Sequence, residues 1–144
     1  MKHSFAIVVS EFNQNITDAL LHGALDRFNE LGINQNNITV VKVPGAVEIP
    51  LVAQLLAKTK KYNAIVCLGA VIRGETSHYD YVCEQVSQGC QRIMLDFDLP
   101  VIFGLLTTEN ELQAIERAGG SEGNKGKDAV DTALAMVAVV GSLE

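Results

Sequence analysis

The sequence predicts one α/β domain in which a four-stranded parallel sheet lies between two layers of helices. Three observations lead to this prediction. The chain has 144 residues, the length of one ordinary domain, so residues 1–144 are expected to form a single unit. Four short apolar runs are continuous rather than alternating, as is typical of strands covered on both faces. A helical pattern follows each run, which favours parallel strands joined by right-handed crossovers.

The predicted strands are short and rich in β-branched residues. In sheets of this flavodoxin-like type, ligands bind beyond the carboxyl ends of the strands, so the loops that follow the strands are where a site is expected. The strands are predicted over residues 5–9, 38–43, 64–68 and 101–106, and the loops over residues 10–15, 44–47, 69–78 and 107–108.

The predicted helices begin and end at recognisable signals. The first ends at Gly32. Pro50 lies in the first turn of the second, where a missing N–H costs no hydrogen bond. The fourth opens with a capping box in which Thr108 and Glu111 satisfy each other's backbone donors, and it breaks at Gly119. The five helices are predicted over about residues 16–31, 48–58, 77–95, 108–118 and 125–140.

The composition indicates a folded protein that associates with copies of itself. Apolar residues make up 48% of the chain and charged residues 19%, which excludes a disordered protein. A domain of this size buries only roughly 70% of its unfolded surface, so apolar surface remains for a homo-oligomer to cover. The third predicted helix also spreads its apolar positions too widely for docking on one side.

The net charge and the lengths of the apolar stretches exclude some classes of binding partner and predict where the protein is located. The net charge is −6 and no basic run exceeds two residues, so neither nucleic acid nor an anionic membrane is expected as a partner. No apolar stretch reaches the roughly 20 residues that span a bilayer. No signal-peptide core precedes Glu11, and a cytoplasmic protein is therefore expected.

Cys67, Cys83 and Cys90 form no zinc-like cluster with the histidines and are expected to be buried reduced thiols.

The loop over residues 69–78 carries the strongest chemical signal. A glycine-containing turn that opens a helix presents N–H groups and the positive end of the helix dipole to an anion. Arg73 and the Thr76 hydroxyl lie beside this turn. His78 follows at the helix start, where the dipole disfavours its protonated form and keeps it available as a base. The alternative is an ordinary turn with a capping Thr76 and a surface His78.

Other loops offer weaker signals, each with a structural alternative. Glu48 is suited to accept hydrogen bonds from substrate hydroxyls, or it is a first-turn acid that complements the helix dipole. Phe12 is placed to stack on a planar heterocycle, or it packs onto the following helix. Arg117 and Lys125 flank a glycine-rich turn, where they clamp a phosphate or remain solvated charges.

Five segments of the chain form one ordered pattern. Phe-Asn follows the first strand, Pro-Gly-Ala-x-Glu-Ile-Pro the second, and Gly-x-Val-Ile-Arg-Gly-x-Thr-x-His-Tyr the third. Phe-Gly-Leu-Leu-Thr-Thr-Glu-Asn at residues 103–110 and Gln-Ala-Ile-Glu-Arg-Ala-Gly at residues 113–119 complete it. Together these segments resemble the lumazine synthase family over nearly the whole chain.

The resemblance implies an enzyme of riboflavin biosynthesis, a transferase that needs no metal and no organic cofactor. The implied reaction condenses 5-amino-6-(D-ribitylamino)uracil with 3,4-dihydroxy-2-butanone 4-phosphate. It releases phosphate and water and gives 6,7-dimethyl-8-ribityllumazine, in the penultimate step of the pathway. Two other interpretations stay open: a module that binds a flavin or lumazine without making it, and a shell-forming protein with residual chemistry.

The resemblance also assigns substrate-binding roles. It implies that Phe12 stacks on the pyrimidine and that Glu48 accepts hydroxyls of the ribityl chain, beside Ala46 and Val47. Val47 occupies a position where the family often has an aromatic residue. The backbone wall that reads the uracil edge is implied to be formed by Ala70, Val71 and Ile72.

The remaining implied roles concern phosphate and proton transfer. Glu75 and Thr76 match the donors of the phosphate site, to which Arg117 adds a cation, and His78 matches the proton-transfer residue. In the family, Arg117 and two further residues of the cavity come from the adjacent subunit. Those two are Phe103 and Lys125.

The resemblance implies a homopentamer. Closure of pentamers into an icosahedral shell is the favoured higher assembly, with a free pentamer and a decamer as alternatives, and riboflavin synthase is a candidate protein partner. The first predicted strand begins close to residue 1, so little of the N-terminal extension found in many members is expected, which bears on this assembly.

Overall fold

A parallel sheet of four strands forms the centre of the molecule. In this computed structural model, which describes residues 3–144, the strands are β1 (Phe5–Ser10), β2 (Ile38–Val43), β3 (Ala64–Ile72) and β4 (Val101–Thr108). They lie in the order β2-β1-β3-β4, and each neighbouring pair is parallel. The predicted four-stranded parallel sheet is confirmed.

Within residues 3–144, five α-helices cover the two faces of this sheet, which confirms the three-layer α/β/α architecture. One core layer contains buried residues of the first, fourth and fifth helices, and the other contains those of the second and third. The first helix ends as predicted, because Gly32 follows it with a φ of 80°. The helices are α1 (Gln14–Glu30), α2 (Ile49–Lys58), α3 (His78–Phe97), α4 (Glu111–Arg117) and α5 (Lys125–Leu143).

The central strands β1 and β3 are continuously apolar because successive side chains enter opposite core layers, whereas β2 at the sheet edge is partly exposed. Phe5 and Ile7 of β1 face α1, where the rings of Phe5 and Phe28 lie 4.9 Å apart between centroids. Ala6 and Val8 enter the layer formed with α2 and α3. Truncation of a buried aromatic such as Phe28 to Ala typically costs about 3 to 5 kcal/mol, so this packing is a large part of a domain's stability.

The third and fourth strands are longer than predicted. Residues 69–72 and 107–108 were expected to form loops, yet they continue the pairing of β3 with β4, from Gly69 opposite Leu105 to Ile72 opposite Thr108. Gly69 has a low strand propensity, and the motif that follows it is typical of a loop, so the sequence did not indicate this extension. Pairing with β4 stabilises the strand in spite of that low propensity. The two strands therefore project beyond Ser10, where β1 ends.

The predicted capping box of the fourth helix is wrong by two residues. Asn110 is the N-cap, and its side-chain oxygen accepts the N–H of Gln113 at 2.9 Å. The Gln113 side chain in turn accepts the N–H of Glu109 at 2.8 Å. Thr108 ends β4 and donates its hydroxyl to the carbonyl of Asn110 at 2.9 Å. The Thr108 to Glu111 spacing fits a capping box equally well, but strand pairing of Thr108 precludes it.

A small hairpin of β5 (Ala118–Gly120) and β6 (Gly123–Asn124) was not predicted. Gly119 and Gly123 adopt φ values of 108° and 85°, which permit the tight reversal. The Asn124 side chain accepts the N–H groups of Gly126 and Lys127 at the start of α5 and donates to the carbonyl of Ala19 at 3.1 Å. The hairpin is thereby fixed to α1.

Two of the three cysteines are buried, as predicted, and all three are free thiols. A hydrogen bond with Cys90, together with burial, raises the pKa of Cys67 well above its usual value, so Cys67 stays a neutral thiol. Cys83 is only partly buried.

Within residues 3–144, no helix is both long and apolar enough to cross a membrane.

Candidate active site

A cavity of about 340 Å³ opens beyond the carboxyl ends of β1, β2 and β3. This is the location that the parallel topology predicts, because the loops after parallel strands meet at one edge of the sheet. Most of the predicted substrate and proton-transfer residues line this cavity, although they lie far apart in the chain. They are Phe12, Ala46, Val47, Ala70, Val71, Ile72, Thr76 and His78.

Hydrogen bonds to two neighbouring strands fix the loop that carries Phe12. The N–H of Glu11 donates to the carbonyl of Val43 at 2.8 Å, and that of Phe12 to Pro44 at 3.0 Å. Asn13 has a φ of 63°, which Asn tolerates better than most residues, and its side chain donates to the carbonyl of Ala70 at 3.0 Å. Phe12 itself is 71% exposed, so packing onto the following helix does not account for it.

Glu48 ends a short 3-10 turn, Ala46–Glu48, and turns back toward its start. Its carboxylate accepts the N–H of Gly45 at 2.9 Å. This bond fits the structural alternative, in which an acid satisfies the first backbone donors of a helical turn. A carboxylate has roughly four acceptor positions, however, so this bond leaves capacity for the hydroxyl groups of a ligand.

The segment between β3 and α3 carries Thr76 and His78 to the cavity. His78 is the first residue of α3, and Ser77, rather than Thr76, is its N-cap. The Thr76 hydroxyl accepts the N–H of His78 at 3.3 Å. Both side chains are exposed to solvent, and Glu75 lies beside them without lining the cavity.

The Arg73 guanidinium lies beside the first turn of α3, but it binds two carboxylates and does not line the cavity. It donates from Nε to Glu109 at 2.6 Å and from Nη2 to Asp80 at 3.2 Å. Its carbon Cζ lies 4.4 Å from the centroid of the Tyr79 ring. The hydrogen bonds to Glu109 and then Asp80 raise the pKa of Arg73, which remains a cation neutralised by two carboxylates. Sequence reasoning missed these partners, since nothing in the local pattern links Arg73 to Glu109.

Five predicted residues do not line this cavity in a single chain. Glu48 and Glu75 are only next in sequence to residues that line it, and the other three line different cavities. Arg117 and Lys125 line a second cavity of about 430 Å³ near the end of β4, together with Glu122 and Asp128. Phe103 and Lys125 line a third, of about 580 Å³, between α3 and α5. One copy of the chain therefore does not bring the predicted cations to Thr76 and His78. In the described part of the chain, no three His, Cys, Asp or Glu side chains are grouped so as to hold a metal ion.

Comparison with known proteins gives one consistent result. The family model described as 6,7-dimethyl-8-ribityllumazine synthase matches residues 2–140. Curated relatives of that name from Coxiella burnetii strains CbuG_Q212 and RSA 493 / Nine Mile phase I are each 58% identical over 139 residues. Each alignment covers 96% of this chain and 92% of the relative. The chain thus belongs to the 6,7-dimethyl-8-ribityllumazine synthase family.

Proposed function

We propose that this chain condenses 5-amino-6-(D-ribitylamino)uracil with 3,4-dihydroxy-2-butanone 4-phosphate to 6,7-dimethyl-8-ribityllumazine in the cavity beyond β1, β2 and β3. Family membership supports the reaction. One structural observation supports the location of the site. Residues predicted for stacking, edge recognition and proton transfer come from the β1–α1 loop, the end of β3 and the start of α3, and they line one cavity. The proposal invokes no metal and no organic cofactor.

The pyrimidine substrate is assigned to the side of the cavity formed by the first two loops and β3. The exposed ring of Phe12 offers a face on which a planar heterocycle stacks. Residues 70–72 pair with β4 on one side, while β1 has ended on the other side, and that side is assigned to the uracil edge. Glu48 is assigned to the ribityl hydroxyls, beside Ala46 and Val47.

The phosphate is assigned to the start of α3. The first turn of this 20-residue helix carries the positive end of the helix dipole, which favours a bound anion. The Thr76 hydroxyl and the Glu75 amide add donors, and Arg117 of a neighbouring copy adds charge. In this assignment the phosphate binds where it later leaves, so the same donors stabilise the charge that develops during elimination.

His78 is assigned to proton transfer. The substrate amine attacks the ketone, water is lost as the imine forms, phosphate is eliminated, and the ring closes with loss of a second water. Each step moves a proton near neutral pH, which suits an imidazole. Holding the two substrates together lowers the activation barrier of such reactions by on the order of 7 to 11 kcal/mol. Most of the rate enhancement is therefore assigned to this proximity, and His78 adds a smaller part.

The complete site is assigned to a homopentamer in which each cavity is finished by the next subunit. Separation of Arg117, Phe103 and Lys125 from the His78 cavity supports a shared site. Large apolar side chains also remain exposed on one chain: Leu51 and Leu55 of α2, and Tyr81 and Leu95 of α3. The number five comes from the family resemblance, and a head-to-tail contact that closes on itself forms such a ring. An icosahedral shell of pentamers, a cytoplasmic location and riboflavin synthase as a partner extend this proposal.

A phosphate-release assay tests the reaction directly. With both substrates present, inorganic phosphate and the lumazine chromophore are expected to appear together in equal amounts, after correction for either substrate alone. A protein that binds lumazine and yet releases no phosphate above that control would be a binding module, and the proposed reaction would be rejected.

A further inference from the structure

We propose that Arg73 is a positioning residue: its side chain ties the β3–α3 loop to the β4–α4 loop and thereby holds Thr76 and His78 at the cavity. The inference rests on the proposed function, because it concerns the same site. It differs from the sequence-based expectation for Arg73, in which the guanidinium would meet the anion itself.

The contacts of Arg73 connect three parts of the structure. Its backbone N–H donates to the carbonyl of Thr108 at 2.9 Å, which continues the β3–β4 pairing by one residue. Its side chain donates to Glu109, just after β4, at 2.6 Å and to Asp80, in the first turn of α3, at 3.2 Å. The guanidinium also lies over the ring of Tyr79, next to His78 in sequence.

The segment between these anchors has little other support. Apart from its neighbours in sequence, a Cβ added at Gly74 would meet no heavy atom of the described chain within 4 Å, so this side of the loop faces open space. The His78 N–H bonds to Thr76, a residue of the same segment, and this bond does not fix the segment to the rest of the molecule. The position of both functional side chains therefore depends on the ends of the loop, and Arg73 joins those ends.

The chemistry of the contact requires arginine. The planar guanidinium directs two donors to two different carboxylates while its face stacks on Tyr79, which the ammonium of a lysine cannot reproduce. Glu109 and Asp80 neutralise the cation, and the residues that line the cavity do not include Arg73. Arg73 thus acts through the loop that it holds and not on the substrate.

This role predicts a selective kinetic defect. The ion pairs are exposed, with 38% of the Arg73 side chain and about 60% of each carboxylate partner accessible, so their loss leaves the global fold intact. The pyrimidine side depends on other loops. Loss of Arg73 is expected to lower kcat and to raise the KM of the butanone phosphate, while the KM of the pyrimidine stays unchanged.

Steady-state kinetics of Arg73→Met, Arg73→Lys, Glu109→Gln and the double variant Arg73→Met/Glu109→Gln test the proposal. Misplacement of reacting groups costs up to about 100-fold, so Arg73→Met is expected to lose roughly 10- to 100-fold in kcat. Arg73→Lys should recover part of this loss. The double variant should be no worse than Arg73→Met, because both changes remove one tie. Arg92→Met is the matched control, since Arg92 pairs with Asp96 elsewhere on α3 and should leave kcat unchanged.

Hydrogen exchange gives a readout that does not depend on activity. In Arg73→Met, amides of residues 74–80 should exchange faster while those of α5 keep their rates, and Arg92→Met should match the unsubstituted protein. Unchanged loop exchange, equal rises in both KM values, or additive losses in the double variant would overturn the positioning role. An unsubstituted protein that forms no lumazine would instead refute the proposed function, and the exchange data would still decide whether Arg73 holds the loop.

Discussion

At the scale of single residues, His78 illustrates a side chain that the fold does not need. It is exposed at the first residue of α3, and its main-chain bond to Thr76 survives truncation of the side chain. General acid–base catalysis typically contributes about 100- to 10,000-fold, and solvent replaces part of that contribution. We therefore expect His78→Ala to lower turnover roughly 10- to 1000-fold. The measurement is lumazine formation, with thermal unfolding to verify the fold. His22→Ala, an exposed histidine on α1, is the control, and unchanged turnover in folded His78→Ala would contradict the role.

Arg117 is the cation assigned to the phosphate. Its Nη1 donates to the carbonyl of Gln113 at 3.0 Å, and carboxylates of Glu116 and Glu122 lie 3.9 Å away, so it is oriented without a close ion pair. Inorganic phosphate is expected to compete with the butanone phosphate. Arg117→Ala should weaken the binding of inorganic phosphate and of the butanone phosphate, each by about 1.5 to 3 kcal/mol. This is the range for a hydrogen bond to a charged group. Inhibition constants measure this, with Arg92→Ala as the control. The anion site is rejected if phosphate neither inhibits nor stabilises the protein.

Sequence reasoning at this scale succeeded where topology alone brings residues together. Phe12, Val47 and His78 meet because the loops after parallel strands share one edge, and no contact needs to be known in advance. The pairing of Arg73 with Glu109 was missed, because it joins residues 36 positions apart through the register of two strand ends. The apolar runs of the sequence predict β3 and β4 to be shorter than they are, so they do not show which residues lie opposite each other at the strand ends.

At the scale of elements, the junction of α5 with α1 depends on a glycine. A Cβ at Gly126 would overlap the backbone carbonyl of Leu20, whereas a Cβ at Gly141, near the other end of the same helix, would meet no described atom within 4 Å. Gly126→Ala is expected to lower the free energy of unfolding by about 1 to 3 kcal/mol, as overpacking does. Gly141→Ala should be neutral or stabilising, since Ala favours helix. Urea denaturation compares them, and equal effects would contradict the close approach.

The boundaries of elements show where local sequence signals end. Short apolar runs located all four strands. Burial on both faces explains the continuous runs of β1 and β3, whereas β2 at the sheet edge is partly exposed in a single chain. The start of α4 was misplaced because Thr108 and Asn110 both suit an N-cap, and only the pairing of Thr108 with β3 decides between them. The β5–β6 hairpin has two or three residues in each strand, mostly glycine, and depends on Asn124 for its place. Segments this short and rich in glycine have little strand propensity, so the sequence alone does not predict them.

At the scale of the whole molecule, the proposed shared site gives the sharpest test of assembly, because His78 and Arg117 line different cavities of one chain. In a head-to-tail ring, His78 of one copy works with Arg117 of the next, so the two residues need not be intact in the same chain. Rings formed from equal amounts of His78→Ala and Arg117→Ala chains, unfolded together and reassembled, are expected to contain intact sites at roughly one position in four, because each of two neighbouring copies is intact at the required residue about half the time.

Activity of the mixed rings should therefore approach roughly a quarter of that of unsubstituted rings, well above either variant assembled alone. Sedimentation of the same samples gives the size of the assembly, and a ring of five is expected, free or as part of a shell. Mixing the two variants without reassembly is the control and should leave both nearly inactive. Absence of recovery in well-formed mixed rings, or a fully active monomer, would reject the shared site, whereas a discrete pentamer would reject only the shell.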